Sequence, residues 1–141
     1  MPANTQPIFS AQGSVQWAPA ALIAANTAKD GTGTVTTIAT GNAAGNAAGN
    51  YLQKLVAQTL GTNVASVLRV FVNNGSVNST AANNVLFAQV TLSATTLTEV
   101  AGQNAIEIPL LMALPPGYKI NCTLGTALAA GWQITALGGQ Y

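Results

Sequence analysis

The sequence is nearly devoid of charge. Its 141 residues include four Lys or Arg and three Asp or Glu, 5% of the chain, where an average soluble protein carries roughly 25%. The cations are Lys29, Lys54, Arg69 and Lys119, and the acids are Asp30, Glu99 and Glu107. Nucleic-acid affinity comes largely from counterion release by clustered Lys and Arg, so four scattered cations exclude that partner. Histidine is absent, which leaves Ser-His-Asp and Cys-His nucleophilic arrangements without material and removes the usual zinc ligands. Calcium would want several carboxylates. With one cysteine, Cys122, no internal disulfide forms and the fold does not depend on an oxidising compartment. The longest apolar run, Ile108 to Pro116, falls far short of the ~20 residues of a spanning helix, despite a mean hydropathy of +0.36. Hydrophobic residues make up 49% of the chain, which argues against disorder. The opening Met1-Pro2-Ala3-Asn4-Thr5-Gln6 has neither the basic nor the apolar region of a signal peptide, so synthesis in a cytoplasm is expected.

What the chain does contain is a pattern of period two. Short stretches of β-branched and aromatic residues alternate with Thr, Gln or Asn, and each ends at Gly, Pro or Asn. The strands this predicts are Ser14 to Ala25, interrupted by Pro19 and so an edge or a bulge; Thr34 to Thr40, where Val35 and Ile38 break strict alternation and point to a bulge or twist; Ser66 to Asn73; Asn84 to Ser93; Ala105 to Met112; Tyr118 to Leu124; and Trp132 to Leu137. Tyr51 to Leu60 reads as strand or helix, because Leu52, Leu55, Val56 and Thr59 also suit one helical face. Its neighbours favour strand. In Ser66 to Asn73, Leu68, Val70 and Val72 share one face while Val67, Arg69 and Phe71 share the other. Leu86, Ala88, Val90 and Leu92 are expected inward, with Phe87, Gln89 and Thr91 outward. Asn74-Gly75 is a turn dipeptide that tolerates positive φ, and Gly41 to Asn50 is a low-complexity connection. About eight strands and no long helix predict an all-β fold, an antiparallel β-sandwich of jelly-roll type. An N-terminal arm spans 1–13 and a single domain 14–141.

Candidates for chemistry are few. Cys122 falls at an inward strand position and reads as a small buried hydrophobe, with no cation nearby to activate it. Glu99 and Glu107 could form a carboxylate pair, but solvated charges or one ion pair with Lys119 or Arg69 explain them better. Asp30-Gly31-Thr32-Gly33 is a turn. No catalytic, cofactor-binding or metal-ligating residue is expected, and no cofactor. Among the aromatics, Trp132 is read as a core anchor. Trp17 and Tyr141 are candidate assembly contacts, since Trp and Tyr are enriched at interface hot spots. Pro7, Ile8 and Phe9 in the arm are candidates of the same kind, able to dock on a neighbouring subunit.

Several segments together resemble a known group of proteins. They are Ala24 to Val35 (AANTAKDGTGTV), Gly61-Thr62-Asn63 through Arg69 to Gly75 (RVFVNNG), Leu114 to Lys119 (LPPGYK), Ala130-Gly131-Trp132 and Gly138 to Tyr141 (GGQY). The set, running from about Trp17 to the end, resembles small structural proteins of tailed bacteriophages, and among them capsid decoration (cement) proteins. These are turn and strand motifs, so they identify a scaffold more than a role. The resemblance implies a non-enzymatic virion protein on the outer capsid surface, made in the bacterial host cytoplasm. Its implied partner is the major capsid protein, and self-association is expected, a homotrimer before a dimer. Neither nucleic acid nor membrane is an expected partner. The alternatives are a receptor- or glycan-binding module of a head fibre or tail, or another tail or neck component.

Overall fold

The computed structural model describes residues 12–42 and 49–141. They form eight strands and one short 3-10 helix: β1 (Gln12–Trp17), β2 (Thr36–Thr40), β3 (Asn50–Thr59), β4 (Ser66–Asn73), the 3-10 turn Ala81–Asn83, β5 (Asn84–Leu92), β6 (Ile106–Leu114), β7 (Lys119–Leu124) and β8 (Trp132–Gln140). Two four-stranded antiparallel sheets result, ordered β1-β8-β3-β6 and β2-β7-β4-β5. The pairing is nested: β1 lies on β8, β2 on β7, β3 on β6 and β4 on β5. The pairs β3·β8 and β4·β7 then join these ribbons into sheets. The facing sides share one sandwich-like core. Leu52, Leu55, Trp132 and Ile134 come from the first sheet, and Leu68, Val70, Ile120, Cys122 and Leu124 from the second.

Bulges account for the places where strict alternation misleads. The β3 ladder slips by one residue between Leu52 and Lys54 against both neighbours. Leu52 and Leu55 therefore both point inward although three residues apart, which imitates a helical spacing. Tyr51 to Leu60 is strand. In β2 the register shifts between Thr37 and Ala39, and consecutive Ile38 and Ala39 are both buried, as the broken alternation predicts. In β5 the shift lies between Leu86 and Ala88, opposite Val70 and Phe71. It turns Leu86 to the outer face as the partner of Phe71, where strict alternation puts it in the core. The first strand also ends earlier than the sequence implies. Proline has no N–H for the ladder, and β1 stops at Trp17, ahead of Pro19. The chain then caps one end of the sandwich through single bridges from Leu22 to Trp132 and from Ala25 to Leu124, with Ala18 and Leu22 in the core.

Asparagine side chains organise the connections. Asn63, buried between β3 and β4, accepts from the backbone N–H groups of Ala130 (2.9 Å) and Gly131 (2.8 Å). Its Nδ2 donates to Thr59 Oγ1 at 3.0 Å and to the Gly131 carbonyl at 3.2 Å, while its backbone pairs with Thr95. One residue, through its side-chain amide and its backbone, thus ties together the β3–β4, β5–β6 and β7–β8 connections. At the opposite end Asn50 donates to Ser14 Oγ (3.0 Å) and accepts from the Asn42 N–H (2.7 Å). Asn74-Gly75 does not close a two-residue hairpin. Of the two only Gly75 has positive φ, +92°, and the connection continues through Ala81–Asn83 to β5.

Candidate contact surface

β1 and β2 are the edge strands on the same side of the two sheets. No backbone ladder joins them, and Gln16 takes its place. Its Nε2 donates to the Thr40 carbonyl at 3.2 Å, and its Oε1 accepts from the Thr40 N–H at 2.9 Å, so the side-chain amide imitates one rung of a sheet. With Ser14 and Gln16 facing β2 and Asn50, alternation turns Val15 and Trp17 outward, and Trp17 is 57% exposed. A groove of about 370 Å³ runs along this edge, lined by Val15, Gln16, Trp17 and Thr37 to Thr40. Its lining carries no charge.

The other predicted contact residues are not brought to this groove. Tyr141 is half-buried, and its N–H donates to the Gly49 carbonyl at 3.3 Å. It follows Gln140, which pairs with Gln12 at one end of the β1·β8 ladder, while Trp17 pairs with Thr135 at the other. Five residues of strand, roughly 17 Å, separate the two positions. Pro7, Ile8 and Phe9 lie outside the described residues. Of the proposed arm, Gln12 and Gly13 belong to β1.

Exposed apolar residues that sequence reasoning did not single out lie elsewhere. Val85, Leu86 and Phe87 are consecutive and exposed on β5, the other edge of the second sheet. Leu111 on edge strand β6 is 65% exposed with φ of +49°, a backbone conformation that costs energy for any residue but glycine or asparagine. Val100, in the turn closed by the Thr98–Ala101 bridge, is 96% exposed. The Val85-Leu86-Phe87 run was a readable signal, because three apolar residues in succession cannot all face one core. Leu110-Leu111-Met112 is such a run too, but which of the three turns outward follows from the register slip opposite Gln53.

The outer face of the second sheet is partly covered. The segment 26–35 crosses it, anchored where Asn26 accepts from Arg69 Nη1 at 3.3 Å through its carbonyl. At the far side Asn84 Nδ2 donates to the Asp30 carbonyl (3.2 Å) and Asn78 Nδ2 to the Gly33 carbonyl (2.8 Å). Asn84 pairs with Asn73, so Phe71 lies between the two anchors on the same face, and it is fully buried. Within the segment Asp30 accepts from the Thr32 hydroxyl (2.6 Å) and N–H (3.0 Å). These bonds, the hydroxyl first, hold its carboxyl below the ordinary carboxylate range. The tetrapeptide Asp30 to Gly33 is the turn the sequence predicts.

Cys122, Glu107 and Lys54 are committed to structure. Cys122 is a core residue, and burial pushes its thiol far above the ordinary range, where no thiolate is available as a nucleophile. Glu107 pairs with Lys54 at 2.7 Å, not with Lys119 or Arg69. The antiparallel register sets Val56 opposite Glu107 and Lys54 opposite Pro109, so the two charges are diagonal neighbours on one face. Among the described residues no three His, Cys, Asp or Glu side chains converge, and no helix is long and apolar enough to cross a membrane. Comparison with known protein families, with curated proteins and with solved structures finds no match to this chain.

Proposed function

We propose that the chain is a jelly roll that serves as a non-enzymatic structural protein of a tailed-bacteriophage virion, a decoration protein bound to the outer surface of the head. The nested pairing of β1 with β8 through β4 with β5 supports the jelly-roll reading, because rolling up a ribbon of four antiparallel strand pairs gives this order. The observation that carries the functional reading is the combination of exposed apolar side chains with charge-free edges. Edge strands are commonly protected by Lys, Pro or inward-pointing charge, yet β1, β2 and β5 contain no ionisable residue. β1 and β5 present Val15, Trp17, Val85 and Phe87 to solvent. Such edges suit burial against another protein. The segments resembling phage structural proteins supply the identity of that partner, the major capsid protein. Many copies acting together stabilise a shell even when each contact is weak, and a homotrimer, or else a dimer, is the closed assembly in keeping with it.

Co-sedimentation with emptied heads of the encoding phage tests the reading. Bound chain should raise the temperature at which the heads rupture. Binding with no gain in head stability would count against cementing, and absence from the head would move the protein to the tail or neck. A second reading, a glycan-binding module, draws on Trp17 beside its uncharged groove. Glycan binding by the isolated protein, abolished by Trp17→Ala, would favour it over decoration.

A further inference from the structure

Arg69 carries a mostly buried charge with no ion-pair partner among the described residues. It sits on the outer face of β4, 8% exposed. Nε donates to Gln89 Oε1 and Nη1 to the Asn26 carbonyl, both at 3.3 Å. Both acceptors are neutral, and both bonds are longer than the ~2.8 Å of charge-assisted pairs. Of the five donors of a guanidinium, those on Nη2 have no acceptor among the described residues. All three acids of the chain lie in described segments, and none serves: Glu107 is on Lys54, Asp30 is bonded within its own turn, and Glu99 is exposed in the β5–β6 connection. Beside Arg69, Thr123 is its register partner on β7 and is itself buried with an unpartnered hydroxyl. A buried cation without counter-charge is costly, and a well-placed carboxylate offsets that cost.

The guanidinium borders an open cleft of about 410 Å³ lined by Ser66, Val67, Thr91, Gly125 and Thr126. Gly125 keeps the approach clear, since even a Cβ there would stand 3.7 Å from both Nη1 and Nη2. We propose that this cleft is a carboxylate-binding site that receives an Asp or Glu side chain from a protein partner. The planar fork of Arg matches a carboxylate through two parallel bonds. A single cation is too little for a nucleic-acid backbone, and no aromatic ring lines the cleft to stack on a sugar. The site rests on the geometry around Arg69 and is independent of the assignment to a virion.

The test is an NMR titration of the full chain with N-acetyl-glutamate methylamide, with glucuronate and inorganic phosphate in parallel. The Arg69 Nε–H signal and the Gly125 and Thr126 amides should shift and saturate with the glutamate probe. Arg69→Lys should bind it about tenfold more weakly, as loss of a charge-assisted hydrogen bond implies. Gly125→Val leaves the arginine in place and should abolish the shifts by filling the cleft, with the amide spectrum otherwise kept. Absence of a saturable shift at Arg69 would overturn the site. Saturation by phosphate or glucuronate and not by the glutamate probe would overturn the assignment to an acidic protein side chain.

Discussion

The interior between the sheets and the turns that frame it are built from opposite materials. The interior is largely aliphatic, with Trp132 its largest buried side chain and no hydrogen-bond partner for the indole N–H among the described residues. The turns are held by amides: Asn63, Asn78 and Asn84 each bond the backbone of a segment remote from their own strand or loop, and Asn26 closes its own loop onto the Thr32 carbonyl. In a chain with so little charge, those amides are the obvious candidates for keeping the surface wet. Much of that amide capacity is instead spent inside the fold. The exposed surface is therefore poorer in free polar groups than composition implies, and apolar residues on β1, β5 and β6 show through it. A surface made this way favours contact with protein.

The contrast can be broken from either side, the largest effect coming from the core. Trp132→Ala should cost about 3–5 kcal/mol in urea unfolding. Trp132→Phe should cost far less, because no indole hydrogen bond is lost. Asn63→Ala follows at about 2–3 kcal/mol, since it leaves the buried N–H groups of Ala130 and Gly131 without their acceptor. If Asn63→Ala were neutral, the amides would be ornaments on a fold held by its core alone. Trp17→Ser should change stability by no more than about 0.5 kcal/mol while weakening association, and a large loss of stability would make Trp17 part of the fold. The smallest effect is at Asp30. Its folded carboxyl is held below the ordinary range, so its contribution is complete above the unfolded value and fades as the pH falls through the folded one. Asp30→Asn should flatten that acid limb of the unfolding curve by slightly lowering stability at neutral pH, and leave stability at the acid end unchanged.

Much of this was legible in the sequence. Alternation located the strands because each has one face on the core, and Ser66 to Asn73 showed both faces correctly. Bulges were the main source of error. They shift the period by one, and so made β3 resemble a helix and sent Leu86 to the wrong side. Burial of Phe71 and Arg69 on an outward face could not be read at all. It depends on segment 26–35 folding back over β4 through contacts 43 to 54 residues distant in sequence. Among the predicted contact residues, Trp17 is exposed on an edge strand, though the sequence pointed to it only through the enrichment of Trp at interfaces. The ion pair of Glu107 was not, because the choice among cations is set by register alone.

The central claim is that the exposed edges make their contacts with amides, hydroxyls and apolar side chains and not with exposed charge, the one charged contact proposed, at Arg69, being mostly buried and so little screened by salt. On the proposed reading as a head decoration protein, its most direct test is occupancy on emptied phage heads, measured by sedimentation from low salt to about 1 M, where exposed ion pairs are screened within roughly 3 Å. Occupancy should stay constant across that range and fall with Trp17→Ser. Release by salt alone, or wild-type occupancy by Trp17→Ser, would contradict the account.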